Sequence, residues 1–361
     1  MSGIAATLPL YSSRPRITID GVQDARLDAR VLSLSVKENA EGLYSCEITF
    51  GNWGSVSGEL DFLYFDRQVF DFGRTLKIEM GDGNASAQVF LGKITGIEGR
   101  FIEQRPPEIL ILAEDNLQQL RMTRRTRTFE DVTLEDVANT IAADHSLQLE
   151  ADIDSPSYRV LSQLNQSDLA FLRERARLID AEVWVEDNRL YVQQRSRRKV
   201  AELDMVYKQH LHEFIVCSDL THQRTELKVS GWDVNAKEKF EVEVEHSIIQ
   251  TEIDGGLGGS QILRDAFGEH KESISHLTPT SEEETRSLAE SHYRTIARQF
   301  VIGRGLSEGD ARLKAGAKVN IDGVGAMFNG PYYVNSVHHM FCAEEGYQTR
   351  FTVERPAIGR N

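Results

Sequence analysis

The chain of 361 residues contains few cysteines and prolines, and it has no long apolar run. Cys46, Cys217 and Cys342 are far apart and form no Cys-x-x-Cys or Cys/His spacing. We therefore expect reduced, mostly buried thiols rather than a disulfide framework or a zinc site. No segment approaches the roughly 20 apolar residues of a membrane span. The apolar stretch at residues 4–10 is too short and too interrupted for a signal peptide, so we expect synthesis in the cytoplasm without one.

Basic residues are in the minority, with 41 Lys and Arg against 56 Asp and Glu and a formal net charge of −15. This balance disfavours non-specific binding of nucleic acid or anionic lipid, so neither nucleic-acid recognition nor membrane insertion is expected. The direct interpretation of the excess acid is solubility. The alternative is a channel lining past which negative or unfolded cargo slides. The length allows two to three domains.

The most informative segment spans residues 162–192. Ser167 is a natural helix N-cap, and Asp168 in the first turn complements the helix dipole. Apolar residues then follow at helical spacing, and two alternating stretches flank a turn at Asp187 and Asn188. The pattern predicts a helix followed by a β-hairpin. Its apolar positions are Leu169, Leu172, Ala176, Ile179, Val183, Val185, Leu190 and Val192.

This segment resembles the QxNxSDLxFLxR element of contractile-tail baseplate hubs. That family includes the phage late-control D proteins and the N-terminal hub part of type VI valine-glycine-repeat spike proteins. The matching residues are Gln163, Asn165, Ser167, Asp168, Leu169, Phe171, Leu172 and Arg173. Residues 179–181 stand where the family often has a glycine. The resemblance therefore does not define the conformation of the turn at this point. Residues 330–341 and 346–355 resemble the family's GxYxVxxVxHxF and GYxTxFxxxR ending, and residues 76–98 resemble part of its first barrel.

The two ends of the chain are rich in predicted strands. In residues 16–112, one predicted strand places Leu32, Leu34 and Val36 on one face, and another runs into a hairpin turn at residues 81–84. Beyond residue 200, Val242 and Val244 alternate with glutamates, and residues 254–260 read as a flexible loop. Ser281 and Glu284 form a predicted capping box for a helix that Gly303 and Gly305 terminate. The buried stripe expected on that helix is Ala289, Tyr293, Ile296 and Phe300. A second box, formed by Thr133 and Asp136, opens another predicted helix.

We therefore predict a mainly β (α+β) protein with two similar antiparallel β-barrel domains and a small α/β domain between them. The predicted boundaries are 1–115 for the first barrel, 116–199 for the α/β helix–hairpin domain and 200–361 for the second barrel, with an inserted helix at about 281–302. The resemblance implies two barrels per chain, so that three chains present six barrels in a ring. Such a ring would match a sixfold tube to a threefold spike.

Two basic runs have two interpretations each. Residues 195–199 are either a solvated linker or a contact to an acidic partner. Residues 121–127 are either a surface loop or an intersubunit or spike contact, because arginine is favoured at polar interfaces. The expected interface residues are Arg121, Arg124, Arg125, Arg127, Asn165, Asp168, Phe171, Tyr333 and Tyr347. Residues 117–127, 76–94 and 319–337 are expected to be more buried in an assembly than in the monomer.

No pattern predicts a catalytic, cofactor or metal site. His338 and His339 should point to opposite faces of a strand, and His210 and His212 lack flanking ligands. Cys217 with His222 is no convincing nucleophile–base pair. The glutamates at 241–245 and 282–284 are typical of solvent-exposed faces rather than of a pair of catalytic acids. The glycines at 255–259 are not followed by the Lys-Ser/Thr of a phosphate-binding loop.

The sequence thus predicts a structural, non-enzymatic baseplate hub that trimerises. Its expected partners are a separate spike protein, an inner tube protein and other baseplate proteins, within a virion or phage tail-like particle. The particle is expected to be a phage tail, an R-type tailocin or an extracellular contractile injection system. The spike is expected on a separate chain because this one ends soon after the last predicted strand; a cleaved or truncated protein would look the same. One alternative is a cell-wall (peptidoglycan) binding module, with residues 130–195 resembling LysM. Another is a hydrolase with scattered catalytic residues.

Overall fold

The computed structural model of the chain describes residues 14–81, 86–199, 201–233, 237–275 and 279–359. The apolar stretch at 4–10 and most of the predicted turn at 81–84 lie outside these residues. The described part consists mainly of antiparallel strands, so the predicted mainly β class is confirmed.

The first portion contains nine strands and one short helix. It comprises β1 (Arg16–Ile19), β2 (Val22–Gln23), α1 (Ala25–Arg30), β3 (Val31–Asn39), β4 (Ser45–Gly51), β5 (Trp53–Val56), β6 (Glu59–Phe62), β7 (Thr75–Met80), β8 (Ala87–Arg100) and β9 (Glu108–Glu114). Strands β5 and β6 form a separate hairpin, and the other seven strands join the main sheet. In β7, buried Leu76, Ile78 and Met80 alternate with half-buried residues, which gives the strand one fully apolar face.

The middle portion is a small α/β unit. It comprises α2 (Leu117–Met122), β10 (Arg124–Val132), α3 (Leu134–Asp144), β11 (Gln148–Asp152), β12 (Tyr158–Ser167), α4 (Asp168–Arg177), β13 (Ala181–Glu186) and β14 (Arg189–Gln194). Strands β10 and β12 pair antiparallel, and β11, β14 and β13 form a three-stranded sheet. Helices α3 and α4 contribute their apolar faces to a core formed mainly by this unit, against which Leu43 of the first portion also packs. The predicted helix–hairpin is therefore confirmed.

The third portion again consists mostly of strands. It comprises β15 (Glu202–Val206), β16 (Leu211–Ser218), β17 (Glu226–Asp233), β18 (Glu238–Glu245), β19 (Leu257–Gly258), α5 (Gly259–Phe267), β20 (Lys271–Ile274), α6 (Glu282–Arg298), β21 (Val301–Glu308), β22 (Lys318–Asp322), β23 (Gly330–Cys342), β24 (Gly346–Arg355) and β25 (Ala357–Ile358). Helix α6 packs on β17 and β18 over a separate core. Two short 3-10 helices, Arg195–Arg197 and His246–Glu252, complete the described elements.

One 13-stranded sheet joins the two ends of the chain. Its main path runs β16-β21-β24-β23-β3-β4-β9-β8-β7-β1-β2, and β15 and β22 extend it from β23. The seam is the antiparallel pairing of β23 with β3, which places Phe341 opposite Leu34. Among the described strands this path remains open and closes into no barrel. The strand-rich ends thus share one sheet, with one apolar core under each half.

Several local predictions need correction. Leu32 is exposed although Leu34 and Val36 are buried, because the pairing of β3 with β4 shifts at this point and breaks the alternation. Residues 257–260 are no flexible loop: β19 pairs with β25, and α5 begins at Gly259. The inserted helix ends at Arg298 instead of reaching 302.

Two glycines expected to terminate that helix lie inside β21. An added Cβ on Gly303 would meet the Phe214 ring at 2.8 Å, and one on Gly305 would meet the Phe351 ring at 2.3 Å. Their role is therefore to let aromatic rings lie against the strand backbone. The helix cap at Ser281 is confirmed, but the returning bond differs: Glu284 accepts from the backbone of Thr280 rather than Ser281.

The thiols also differ in part from expectation. All three cysteines are free, but only Cys46 is buried, whereas Cys217 is exposed and Cys342 is half-buried. Cys217 is exposed because it lies on the same face of β16 as the exposed Ile215.

Candidate functional site

The helix–hairpin motif is built around a buried carboxylate. Asp168 is the first residue of α4, and only 1% of its side chain is exposed. Its oxygens accept from Arg127 Nη2 at 2.9 Å and from Gln163 Nε2 at 2.8 Å. His145 Nε2 lies 2.9 Å away, and Arg125 Nε lies at 3.3 Å. Burial alone would raise the pKa of Asp168, but these hydrogen bonds and arginines hold it below its ordinary value.

This network uses part of the basic run at 121–127. Arg125 and Arg127 also share Asp144, at 2.8 and 2.7 Å. Most of the run belongs to strand β10 and not to a surface loop, because it pairs with β12. Arg124 bonds the backbone oxygen of Asn165 at 3.1 Å, and Arg121 bonds Glu114 at 2.6 Å. The arginines of this run therefore connect elements within the chain.

The run at 195–199 is not a solvated linker. Arg195 bonds Glu354 at 2.5 Å and lies over the Tyr333 ring at 3.6 Å, which ties the small unit to β23 and β24. Arg198 is nearly buried, bonds Glu182 at 2.7 Å and lies over the Trp184 ring at 3.9 Å. The acidic partners of these arginines belong to the same chain, so residues 195–199 connect the small unit to the main sheet.

Two further carboxyl groups are buried where the small unit meets the sheet. Glu38 Oε2 accepts from the backbone of Ala315 at 3.3 Å, and Asp115 accepts from the backbones of Tyr44 and Leu117 at 2.8 and 3.0 Å. Burial raises the pKa of Glu38 to about 7, and that of Asp115 to about 7. Unlike Asp168, neither carboxylate has an arginine within ion-pair distance among the described residues.

The remaining expected interface residues lie in different surroundings. Phe171 is fully buried and stacks on Phe129 with 8° between the ring planes. The Tyr333 hydroxyl donates to Glu182 at 2.5 Å, and the Tyr347 hydroxyl lies 2.8 Å from Nδ1 of the buried His339. Asn165 is exposed in β12, where the pairing of β12 with β10 is irregular.

The two histidines of β23 point to opposite faces, as predicted. His339 is buried, and burial lowers its pKa to about 3. His338 lies on the outer face and bonds Ser35 at 2.8 Å. His210 lies in a turn, outside β16, so it does not share a strand face with His212. Within the described ranges, no group of three or more His, Cys, Asp or Glu side chains is placed to hold a metal ion.

Sequence reasoning missed an exposed aromatic cluster on the β5–β6 hairpin. Trp53, Phe62 and Phe101 are each more than a third exposed, and their rings touch one another or Phe65 at centroid distances of 5.3 to 5.8 Å. The signal available was the short alternation around the turn at Gly58. Exposed apolar patches of this kind are typical of contact surfaces.

No helix within the described ranges combines the length and apolar character needed to cross a bilayer.

Solved structures similar to this chain include two tail proteins and a component of a type VI secretion system. The 43 kDa tail protein of prophage MuSo2 from Shewanella oneidensis aligns with a TM-score of 0.70 at 10% identity, over 96% of this chain and 99% of that one. A tail protein from Neisseria meningitidis MC58 gives 0.68 at 12% identity, over 96% and 97%. The E. coli c3393 protein, described as a component of the type VI secretion system, gives 0.57 at 12% identity, over 94% and 76%.

The chain therefore has the fold of phage tail and type VI spike-related proteins, and the resemblance seen in its sequence is confirmed at the level of the fold. The family model described as the Alg8 N-terminal domain matches residues 13–343, and the chain belongs to that family. No curated protein matches the chain at a significant level.

Proposed function

We propose that this chain is a structural hub at the base of a contractile tail-like machine, with no enzymatic role. The observation that carries this proposal is the single sheet that joins both strand-rich ends within a tail-protein fold. A hub needs a rigid wall that spans the whole subunit, and a continuous hydrogen-bonded sheet provides one. The particle in which it acts would be a virion or a phage tail-like assembly.

The open ends of the sheet support assembly into a closed ring. Strand β16 pairs only with β21 along its length, and β2 pairs only with β1, so both present unpaired backbone groups among the described strands. Exposed edges are usually covered in the functional state. In a cyclic homotrimer, one edge of each chain meets the other edge of its neighbour, which leaves none exposed.

The two halves of the sheet would then act as two barrel-like repeats. Each half has its own core, with the first centred on β4, β7 and β9 and the second on β21 to β24. Three chains would present six such halves to a sixfold inner tube and three small units to a threefold spike on a separate chain. We propose the boundaries 1–115, 116–199 and 200–361 for these parts.

The proposed contacts to spike and baseplate proteins involve the accessible members of the expected interface set. Arg121, Arg124 and Asn165 are exposed on one end of the small unit. Asp168 and Phe171 are buried beneath them and would act by holding that end in shape. Tyr333 bonds Glu182 of the small unit, and Tyr347 bonds His339 within the sheet, so their proposed effect on contacts is likewise indirect.

Disulfide trapping tests the ring. Cys217 is an exposed native thiol on β16, and Val22 on β2 is 69% exposed at the opposite end of the sheet. In a Cys342→Ser background, Val22→Cys should form intermolecular disulfides with Cys217 on mild oxidation, giving covalent dimers and trimers under denaturing conditions.

The matched control is Leu164→Cys in the same background, because Leu164 is 66% exposed on the small unit and away from both edges. Cross-linking of Val22→Cys at no more than the control level would contradict edge pairing. Specific retention of the chain on peptidoglycan, with no trimer, would favour the cell-wall binding alternative.

A further inference from the structure

The outer face of the main sheet carries a row of basic side chains in register. His338 on β23 lies directly opposite Lys37 on β3 and Arg350 on β24. Strands are about 4.8 Å apart, so the three side chains lie within roughly 10 Å. Like charges directly opposite one another destabilise a sheet. Burial, followed by Lys37 and Arg350, lowers the pKa of His338, so the central member adds no full charge at neutral pH.

Arg304 on β21 extends the row. Arg304 pairs with Thr352, two residues from Arg350, so the two arginines are diagonal neighbours on adjacent strands. They line a groove of about 430 Å³ together with His338, Ser336, Thr352 and Glu213. We call this the basic groove.

The two arginines of the basic groove are not neutralised within the chain. Lys37 has Glu47 at 3.8 Å, but Arg304 and Arg350 have no carboxylate at ion-pair distance in the part of the chain that the structure describes. Both are exposed. In a protein with a net charge of −15, two adjacent unpaired guanidinium groups in a concave site indicate a binding surface.

We propose that the basic groove binds an extended polypeptide segment of a partner that carries carboxylates at alternate positions. A guanidinium group binds a carboxylate through two parallel hydrogen bonds. Diagonal neighbours in a sheet lie about 7–8 Å apart, and residues i and i+2 of an extended chain lie about 6.8 Å apart. One acidic segment can therefore reach Arg304 and Arg350 together.

A nucleic acid fits the basic groove less well. A polyanion longer than the groove would be repelled by the net negative charge of the whole chain, and it would also meet Glu47 beside Lys37. A short peptide presents its charge only within the groove. An acidic ligand for the outer face of the sheet is not part of the hub proposal. Its binding does not depend on trimer formation.

Fluorescence anisotropy with the full chain tests the groove. The probe is a labelled peptide of alternating glutamate and serine; the comparison ligands are the same peptide with glutamine in place of glutamate, and oligodeoxythymidylate. We expect the glutamate peptide alone to bind, more weakly as the salt concentration rises to about 200 mM. Arg304→Glu and Arg350→Glu should each weaken binding at least about tenfold.

Arg105→Glu is the matched control, because Arg105 is an exposed loop arginine that also has no ion pair among the described residues. It makes the same charge change and should leave the affinity within about twofold. Arg350→Lys should bind with intermediate affinity, since it keeps the charge and loses the second hydrogen bond. Circular dichroism and thermal melting verify that each variant is folded.

Three results would overturn the proposal. One is a glutamate peptide that does not bind, or that binds folded Arg304→Glu and Arg350→Glu as tightly as the native chain. Another is an equal loss in Arg105→Glu, which would indicate a net-charge effect. The last is oligodeoxythymidylate bound with the same dependence on Arg304 and Arg350, which would assign the groove to a polyanion.

Discussion

The small α/β unit and the outer face of the main sheet use arginine in opposite ways. In the small unit, Arg125 and Arg127 contact Asp144 and the buried Asp168. On the sheet, Arg304 and Arg350 have no acidic partner within the described residues. The first arrangement holds elements together, whereas the second leaves charge available for another molecule.

The difference shows that a basic run in a sequence is a poor guide to a basic surface. The runs at 121–127 and 195–199 look like binding patches, yet most of their arginines bond carboxylates of the same chain. The basic groove has no run at all in the sequence. Strand register assembles it from Arg304, His338 and Arg350, which are widely separated along the chain.

The largest expected effect is on the buried carboxylate of the small unit. Asp168→Ala leaves Arg127, Gln163 and His145 without their shared acceptor, so we expect the free energy of unfolding to fall by about 3–5 kcal/mol. Urea denaturation measures the change. Asp144→Ala removes a more exposed partner and should cost less than about 1 kcal/mol. Equal losses in the two variants would contradict a central role for Asp168.

A second prediction separates two kinds of buried carboxyl group by pH. The pKa of Glu38 is raised to about 7 from an ordinary 4.5, so its contribution to stability is complete below about pH 4.5 and is lost as the pH rises towards 7. The pKa of Asp168 is lowered, so its contribution is lost instead as the pH falls.

Unfolding free energies of Glu38→Gln and the native chain between pH 4.5 and 7 measure the first effect. We expect the variant to lose a pH dependence of about 3 kcal/mol over this window. Glu47→Gln, an exposed change on the neighbouring strand, serves as the control and should keep the native slope. A native slope in Glu38→Gln would show that other groups cause the dependence.

The capping box of α3 gives a smaller effect within the small unit. Thr133 accepts from the backbone of Asp136, which accepts from the backbone of Thr133 in return. Thr133→Ala should lower the free energy of unfolding by about 1 kcal/mol. Thr140→Ala in the middle of the same helix should be neutral or slightly stabilising. A neutral Thr133→Ala would mean that packing alone holds the start of α3.

The smallest expected effect has the opposite sign and lies on the sheet. Arg350→Thr removes a positive charge that lies diagonal to Arg304 and two strands from Lys37, so it should raise the free energy of unfolding by up to about 1 kcal/mol. Arg105→Thr should change it by less than about 0.5 kcal/mol in either direction. If Arg350→Thr lowered the free energy of unfolding more than Arg105→Thr does, Arg350 would stabilise the fold, which would contradict its assignment to ligand binding.

The sequence predicts the small unit well because its signals are local. The caps at Thr133 and Ser167 and the turn at Asp187 act over a few residues, and the structure places all three as expected. The strands of the two ends were also recognisable from their alternation. The helix limit at Arg298 was missed because Gly303 and Gly305 serve ring packing, a tertiary requirement that propensity does not encode.

The seam and the basic groove could not be predicted in this way. Pairing of β3 with β23 joins residues about 300 positions apart, and no local pattern fixes that partner or its register. The shift in β3 that exposes Leu32 has the same origin, since it depends on the pairing with β4. The edge strands follow from the sheet order and thus from the same long-range pairings.

The most direct test of the hub is the mass of the native chain in solution, measured by light scattering over a dilution series with and without a candidate spike protein. The account predicts a trimer of three times 40.7 kDa, or a monomer that becomes a three-to-three complex with the spike. A chain that remains monomeric at every concentration and does not bind the spike protein would contradict the hub proposal.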